Sequence, residues 1–215
     1  MASKQLTIAV IPGTGRMGYG FSHRFAKAGH KILLGSRDTT KAQEAADKIL
    51  KEVPHANIQA GKTEELPLSS ADLIVWCLQG SIKESIAYLK TFDFKGKIIL
   101  DCTNIVYKVP DPNTILGKTS ATEMNAEAYP SAKWVSGFKV VAAAELLNDK
   151  PAQPAFLYSD DKEALEFVKN LVLSVNVDVA KTGTLVEARE SEAALWEYCK
   201  TAFPNYDKLY LNFQN

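Results

Sequence analysis

The chain has little cysteine and little histidine. Its three cysteines are an odd number with no C-x-x-C pair, which argues against a disulfide framework and against a zinc site. The three histidines show no mutual spacing that would suit a metal ion. We therefore predict a protein without a bound metal, in which Cys77 and Cys102 are unreactive thiols at apolar strands.

The sequence also has no excess of positive or of negative charge. The sequence carries 25 basic and 25 acidic residues, so the formal net charge is zero and no basic field is present to hold nucleic acid. No apolar run approaches the ~18–20 residues that a membrane span needs. The start, MASKQLTIAV, lacks the apolar core of a signal peptide. We expect a cytoplasmic protein that binds neither nucleic acid nor a membrane.

A glycine-rich turn between an apolar run and a helical pattern is the main feature that is present. Gly13, Gly15 and Gly18 have the G-x-G-x-x-G spacing, with an apolar stretch before them and residues 32–34 forming a second one after the helix. This context predicts a helix N-terminus and bare backbone N–H groups that bind a pyrophosphate. A glycine turn without a ligand is the alternative. The predicted contacts are Gly13, Thr14, Gly15, Arg16, Met17 and Gly18.

The end of the second apolar run indicates which dinucleotide is bound. A site for NAD usually has Asp or Glu there, but this sequence has Ser36 followed by Arg37. A carboxylate would repel a 2′-phosphate, whereas these two side chains can donate to it. Lys41 lies one helical turn further on and adds positive charge. Asp38 leaves NAD open as the alternative, since a shift of one residue would place its carboxylate at the ribose.

The rest of the chain alternates between strand and helix patterns. We predict six strands up to Val141 and then a short strand–helix–strand–helix segment after Pro154. The fold class is α/β, with a doubly wound, mostly parallel Rossmann-type sheet and a small C-terminal strand–helix extension. We expect an NADP-binding domain over residues 1–149, and an extension over 150–215 that packs on the same sheet as one structural unit.

Open α/β sheets bind ligands at the carboxyl ends of their strands, which predicts the rest of the site. Leu78, Gln79, Asn104 and Phe138 follow predicted strands, and Asn104 can bond the carboxamide or a ribose hydroxyl. Lys139 is the one basic residue there and is the candidate catalytic group, as a proton donor or as a holder of an anionic substrate. A strand-end lysine that reaches solvent is the alternative.

Several segments resemble the deazaflavin-dependent NADP reductase family. They are the opening IAVIPGTGRMGYGFSHRFAKAGHKILLGSRD, then GKIILDCTN, SGFKVV, YSDDKEALEFVKNL and TGTLVEARESEAAL in that order. The chain is also similar to the N-terminal cytosolic domains of six-transmembrane metalloreductases. The resemblance implies an NADP-binding oxidoreductase with a shallow cleft for a flavin-like partner. Phe138 and Lys139 replace short residues that face the deazaflavin in the reductases, which predicts a narrower cleft.

Together these features predict an NADPH-dependent reductase that transfers a hydride between NADP(H) and a flavin-like or other planar redox acceptor, with a flavin or deazaflavin as co-substrate. Two alternatives remain. One is a non-catalytic NADP(H)-binding sensor or regulator, and the other is an NADP-dependent dehydrogenase of a small carbonyl or imine. An aromatic tail, with Tyr206, Tyr210 and Phe213, docks either on its own domain or on a second subunit of a homodimer.

Overall fold

A computed structural model describes residues 5–105, 114–148 and 152–202. Within those ranges eight strands form one sheet in the order β3-β2-β1-β4-β5-β6-β7-β8. The strands are β1 Thr7–Ile11, β2 Lys31–Ser36, β3 Asn57–Lys62, β4 Leu73–Trp76, β5 Ile98–Asp101, β6 Lys133–Gly137, β7 Ala152–Tyr158 and β8 Val177–Gly183. The α-helices are α1 Arg16–Lys27, α2 Thr39–Glu52, α3 Ile82–Leu89, α4 Ala121–Ala128, α5 Lys162–Ser174 and α6 Ala188–Ala202.

The first six strands are parallel, and their connections place helices on both faces of the sheet. Alternate residues of β1 show this directly, since Ile8 and Val10 pack in one apolar cluster while Ala9 and Ile11 pack in another. Strands covered on both faces read as continuous apolar runs, which explains the LIVW sequence of β4. The predicted doubly wound Rossmann-type fold is confirmed.

The last two strands extend the sheet beyond β6. β7 pairs antiparallel with β6, and β8 pairs parallel with β7. Both are longer than the sequence pattern indicated, because their outer residues are polar or exposed and break the apolar signal. The expected boundary between residues 149 and 150 and the aromatic tail both lie outside the described ranges.

One predicted strand ends early. The sequence pattern favours a strand from Trp134 to Val141, but β6 ends at Gly137 and Phe138 has a φ of 61°. A left-handed conformation is uncommon for a bulky residue and turns the chain sharply. The turn closes with a bond from the Val141 N–H to the Phe138 carbonyl oxygen, 3.3 Å long. Residues 138–141 therefore form a turn at the carboxyl edge of the sheet.

Candidate functional site

A cleft of about 1460 Å³ opens at the carboxyl edge of the central strands. One end of it is formed by the glycine turn before α1, and its middle by residues that follow β4, β5 and β6. Its far side is formed by residues of β7, β8 and α6. Its volume exceeds the ~300–1,000 Å³ typical of a site for one drug-sized ligand. The cleft therefore has room for two ring systems.

The glycine turn leaves its backbone accessible on the cleft side. Gly15 precedes α1 and has no side-chain cap, and a Cβ built on it meets no atom within 4 Å. Gly18, in contrast, packs so closely on the turn that a Cβ there would overlap the Pro12 carbonyl oxygen. The N–H of Gly13 donates to the Gly35 carbonyl oxygen at 2.8 Å and ties the turn to β2. Space for a ligand is thus present at Gly15, while the other two glycines are required by packing.

Not every predicted contact of the turn faces the cleft. Gly15, Arg16, Met17 and Gly18 line it. A Cβ built on Gly13 would contact the side chain of Leu34, so this glycine lies inside the fold. Thr14 is half-buried beside it.

The end of β2 suits a 2′-phosphate better than a 2′-hydroxyl. Asp38 caps α2, and its Oδ1 accepts from the Thr40 N–H at 2.9 Å and from the Lys41 N–H at 3.2 Å. The Ser36 hydroxyl oxygen accepts from the Asp38 N–H at 3.1 Å, which leaves its proton available to donate. Arg37 and Lys41 are exposed. The carboxylate that favoured NAD in the sequence is used as a helix cap.

Asn104 provides an unpartnered polar atom in the middle of the cleft. Its side chain is 6% exposed, and its Nδ2 donates to the Lys139 carbonyl oxygen at 3.2 Å. Its Oδ1 has no hydrogen-bond partner. Buried acceptors are nearly always satisfied, and so this oxygen fits a donor supplied by a ligand, such as a carboxamide N–H₂. The residues present therefore fit a nicotinamide dinucleotide.

Two other predicted contacts follow β4. Gln79 is exposed and lines the cleft. The side chain of Leu78 packs instead in the apolar cluster on the opposite face of the sheet, with Trp76 and Leu89. Only the backbone of Leu78 remains to face a cofactor.

Phe138 lines the cleft while most of its ring is enclosed. It is 1% exposed, and its ring meets that of Phe21 edge to face, with centroids 4.8 Å apart. Phe21 belongs to α1, the helix that follows the glycine turn. The strained residue therefore couples the end of β6 to the helix that begins at the proposed pyrophosphate site.

Lys139 does not reach solvent, contrary to the alternative drawn from the sequence. Its side chain is fully buried, and its Nζ lies 3.2 Å from Glu192 Oε1. The ammonium also donates to the Thr103 carbonyl oxygen and, at 2.9 Å, to Thr122 Oγ1. All three hydrogens face acceptors of the protein itself, so the assignment of Lys139 as a catalytic group stays a prediction that these contacts do not support.

Arg189 and Glu192, three residues apart on α6, bind different partners and do not pair with each other. Arg189 makes a two-pronged contact with Glu123 of α4, at distances down to 2.6 Å. Glu192 faces inward, where its second oxygen accepts from the Ile105 N–H at 2.6 Å. Oppositely charged residues three apart on a helix lie on the same side and can form an ion pair. Here each side chain instead forms its ion pair with a residue of a neighbouring element.

Burial and nearby charges compete in the buried pair, and for Glu192 burial is the largest influence and raises its pKa. Burial alone would lower the pKa of Lys139, but the carboxylates of Glu192 and Asp101 outweigh that effect and raise the pKa. Cys102 lies close by, and burial, reinforced by the neighbouring Cys77 thiol, raises its pKa well above the ordinary value. Both thiols are free and buried, and they line the cleft as apolar surface.

The far side of the cleft was not predicted from the sequence. It comprises residues of three elements that meet only in the folded chain, namely Gln153, Pro154, Phe156, Ala180, Ala194, Leu195 and Tyr198. Tyr198 is 64% exposed, which is high for a large aromatic ring on an amphipathic helix. That exposure is a property of the folded chain, and no pattern in the sequence pointed to this surface.

The described residues offer neither a metal site nor a membrane-spanning helix. Across residues 5–105, 114–148 and 152–202, no group of three His, Cys, Asp or Glu side chains could hold a metal ion. No helix in the same ranges is both long and apolar enough to cross a membrane.

The fold and the cleft define a class, the NADP-dependent oxidoreductases of Rossmann type. Comparison with known proteins gives the family. The family model described as "NADP oxidoreductase coenzyme F420-dependent" matches residues 7–105. The F420-dependent NADP reductase of Methanothermobacter thermautotrophicus is 30% identical over 201 residues, covering 86% of this chain and 84% of that protein. The chain belongs to this family.

Further similarity is found both in sequence and in fold. The F420-dependent NADP reductase of Methanocaldococcus jannaschii is 29% identical, over 87% of this chain and 88% of that one. A solved structure described as an F420-dependent NADP reductase, from an Arthrobacter species, superposes with a TM-score of 0.72 at 22% identity, over 93% and 95% of the two chains. A reductive aminase of Aspergillus terreus in complex with NADPH gives 0.63 at 18% identity, over 93% and 63%. At these identities the two structures show the fold alone.

Proposed function

We propose that this NADP-dependent oxidoreductase transfers a hydride between NADP(H) and a flavin-like ring held in the same cleft. NADPH, when bound, supplies the hydride from its nicotinamide ring, and one proton from solvent completes the reduction of the acceptor. Such a transfer needs two rings in contact more than it needs an acid or a base. That requirement agrees with a cleft whose one buried lysine is engaged elsewhere.

The assignment of residues follows the cleft and, outside its lining, the glycine turn and the ends of β2 and β4. We place the pyrophosphate at the glycine turn, with Gly15, Arg16, Met17 and Gly18 against it and Gly13 and Thr14 shaping the turn. The 2′-phosphate is held by Ser36, Arg37 and Lys41. The carboxamide is bound by Asn104, with Gln79 and the backbone of Leu78 beside it. Phe138 forms the floor under the nicotinamide.

The continuity of the cleft is the observation that carries the proposal. One cavity runs from Gly15 and Arg16 past Asn104 to the apolar surface of β7, β8 and α6. A protein that only sensed the dinucleotide would have no need of a second, apolar compartment that opens onto the first. The names of the methanogen relatives, which refer to a deazaflavin coenzyme, support a flavin-like acceptor.

The test is an anaerobic acceptor screen that follows the absorbance of NADPH, with 5-deazariboflavin, riboflavin, a quinone, a ferric chelate and a cyclic imine. We expect the flavin-like rings to be reduced and the rate to fall when NADPH carries deuterium at the transferred position. Tight binding of NADPH without turnover would favour the sensor. Oxidation with the imine alone would favour the dehydrogenase of a small carbonyl or imine.

Self-association stays a prediction, since the aromatic tail lies outside the described residues. Sedimentation analysis of the full chain and of a chain ending at Ala202 would show whether the tail is needed for a dimer.

A further inference from the structure

Three consecutive residues after β5 are each bonded to the buried pair of Lys139 and Glu192. The Thr103 carbonyl oxygen accepts from the Lys139 ammonium, and the Ile105 N–H donates to Glu192 Oε2 at 2.6 Å. Between them, Asn104 Nδ2 donates to the Lys139 carbonyl oxygen at 3.2 Å. The backbone on both sides of Asn104 and its own side chain are therefore fixed by the same two residues.

The turn after β6 brings Lys139 into this arrangement. β6 ends at Gly137, and the φ of 61° at Phe138 redirects the chain. Both the carbonyl oxygen and the ammonium of Lys139 then contact residues 103–105. The side chains of Lys139 and Glu192 are fully buried, and buried hydrogen-bond networks hold their members in one arrangement.

The Asn104 amide is held in the orientation that a carboxamide requires. Its Nδ2 is engaged by the Lys139 carbonyl oxygen, so Oδ1 is the atom left to accept a hydrogen bond from a ligand. With the amide rotated by half a turn, its own N–H₂ group would take that place and would face the N–H₂ of the nicotinamide, donor against donor. The bond to Lys139 therefore determines which chemical group the cleft presents at this position.

We propose that Lys139 and Glu192 are positioning residues, which hold the Asn104 amide ready to accept from the nicotinamide carboxamide. This inference rests on the proposed function, in which Asn104 binds that carboxamide. Both side chains act through residues 103–105 and not by contact with the cofactor. A group that is already fixed loses less freedom when its ligand binds, so the affinity for the nicotinamide end of the cofactor depends on the pair.

Two ligands separate the nicotinamide end from the rest of the cofactor. NADP⁺ carries the nicotinamide, whereas adenosine 2′,5′-bisphosphate carries the adenine and the 2′-phosphate without it. We expect Lys139→Met to weaken NADP⁺ binding roughly tenfold, the contribution of one hydrogen bond, and to leave the Kd of the bisphosphate unchanged. The double variant Lys139→Met, Glu192→Leu leaves no buried charge unpaired and should lose NADP⁺ affinity to the same extent. Calorimetric titration is the measurement.

Two further variants distinguish positioning from a general loosening of α6. Asn104→Ala should weaken NADP⁺ binding by the same factor, and Lys139→Met added to it should have no further effect, because the pair acts through Asn104. Tyr158→Phe is the control. The Tyr158 hydroxyl lies 3.0 Å from Ser191 Oγ and so also fastens α6, but this bond does not involve residues 103–105. Its Kd values for both ligands should be those of the unmodified protein.

The outcomes separate the inference from the function on which it rests. Normal NADP⁺ binding by Asn104→Ala contradicts the proposed place of the carboxamide and overturns both. Weaker binding by Asn104→Ala, with normal binding by Lys139→Met and the double variant, overturns the positioning role alone, as does an equal loss for both ligands. A loss confined to NADP⁺, absent in Tyr158→Phe and not additive with Asn104→Ala, supports both. If Lys139→Met does not fold, the double variant decides by the same criteria.

Discussion

Of three consecutive residues at the end of β2, Asp38 caps helix α2, while Ser36 and Arg37 can donate to a 2′-phosphate. The Asp38 carboxylate accepts hydrogen bonds from the first N–H groups of α2, which need an acceptor. It is therefore engaged away from the position of the ribose. Ser36 retains a proton that it can donate, and the guanidinium of Arg37 is exposed beside it. A preference for NADP thus follows from where one carboxylate is held as much as from the presence of an arginine.

Replacing the arginine should affect one cofactor and spare the other. We expect Arg37→Ala to weaken NADPH binding by ~1.5–3 kcal/mol, the range for a hydrogen bond to a charged group, and to leave NADH binding nearly unchanged. Asp38→Asn is the control, because asparagine caps a helix about as well and the cofactor preference should persist. Calorimetric titration of both cofactors is the measurement. Equal affinity of the unmodified protein for NADPH and NADH would contradict the assignment.

Two glycines of the turn should respond differently to an added side chain. Gly15→Val places its side chain in open space on the ligand side, so we expect a folded protein that binds neither NADPH nor NADH. Gly18→Ala would overlap the Pro12 carbonyl oxygen and should lower the free energy of unfolding itself. Urea unfolding and cofactor titration of both variants separate the two effects. Normal binding by Gly15→Val would place the dinucleotide elsewhere.

At the scale of the elements, the sequence predicted the strands and helices that are determined by residues close together in the chain. The order from β1 to α2 follows from apolar periodicity and from the glycine turn. The end of β6 was missed because Val140 and Val141 favour a strand, whereas contacts with α1 and α6 impose the turn at Phe138. The partner of Lys139 was missed for the same reason, since Glu192 lies far along the chain. The far side of the cleft likewise exists only once β7, β8 and α6 meet.

The buried pair between Lys139 and Glu192 is the main polar contact between the end of β6 and α6. Lys139→Met should leave Glu192 buried and unpaired and lower the free energy of unfolding by ~3–5 kcal/mol. The double variant Lys139→Met, Glu192→Leu removes both charges and should regain most of that loss, since well-packed apolar replacements of buried pairs are often neutral. Urea unfolding of the single and double variants measures the coupling. A double variant no more stable than Lys139→Met would mean that the hydrogen bonds of Glu192 to the backbone, and not the charge pair, stabilise this junction.

At the scale of the whole molecule, Arg24 joins the N-terminal and C-terminal parts. Arg24 lies in α1. Its guanidinium donates to the carbonyl oxygens of Leu146 at 3.0 Å, of Glu145 at 2.8 Å and of Asn148 at 2.9 Å. It also donates to the Val175 carbonyl oxygen, at 2.7 Å, where α5 ends. Cations at the carboxyl end of a helix are favourable, because the last carbonyl groups there lack partners within the helix. The helix that begins at the proposed pyrophosphate site is thereby fixed to the segments that support β7 and β8.

The stability of the whole fold should depend on pH through His30. Its Nδ1 accepts from the Leu6 N–H at 3.2 Å, so the ring is needed in its neutral form, and burial lowers its pKa. In the unfolded chain the pKa is about 6.5, which means that the unfolded state binds a proton first as the pH falls. The stabilisation is therefore fully present above about 6.5 and is lost as the pH falls from there through the lower pKa of the folded state.

His30→Asn tests this, because asparagine keeps an acceptor at the δ position and does not titrate. We expect the variant to have a lower free energy of unfolding at neutral pH, through the lost packing of the ring against Phe25, and a flatter decline as the medium is acidified. His55→Asn, at an exposed position, is the control and should keep the slope of the unmodified protein. Urea unfolding at several pH values between about 5 and 8 measures the slopes. If His30→Asn declines as steeply as the unmodified protein, the acid sensitivity of the fold arises from groups other than His30.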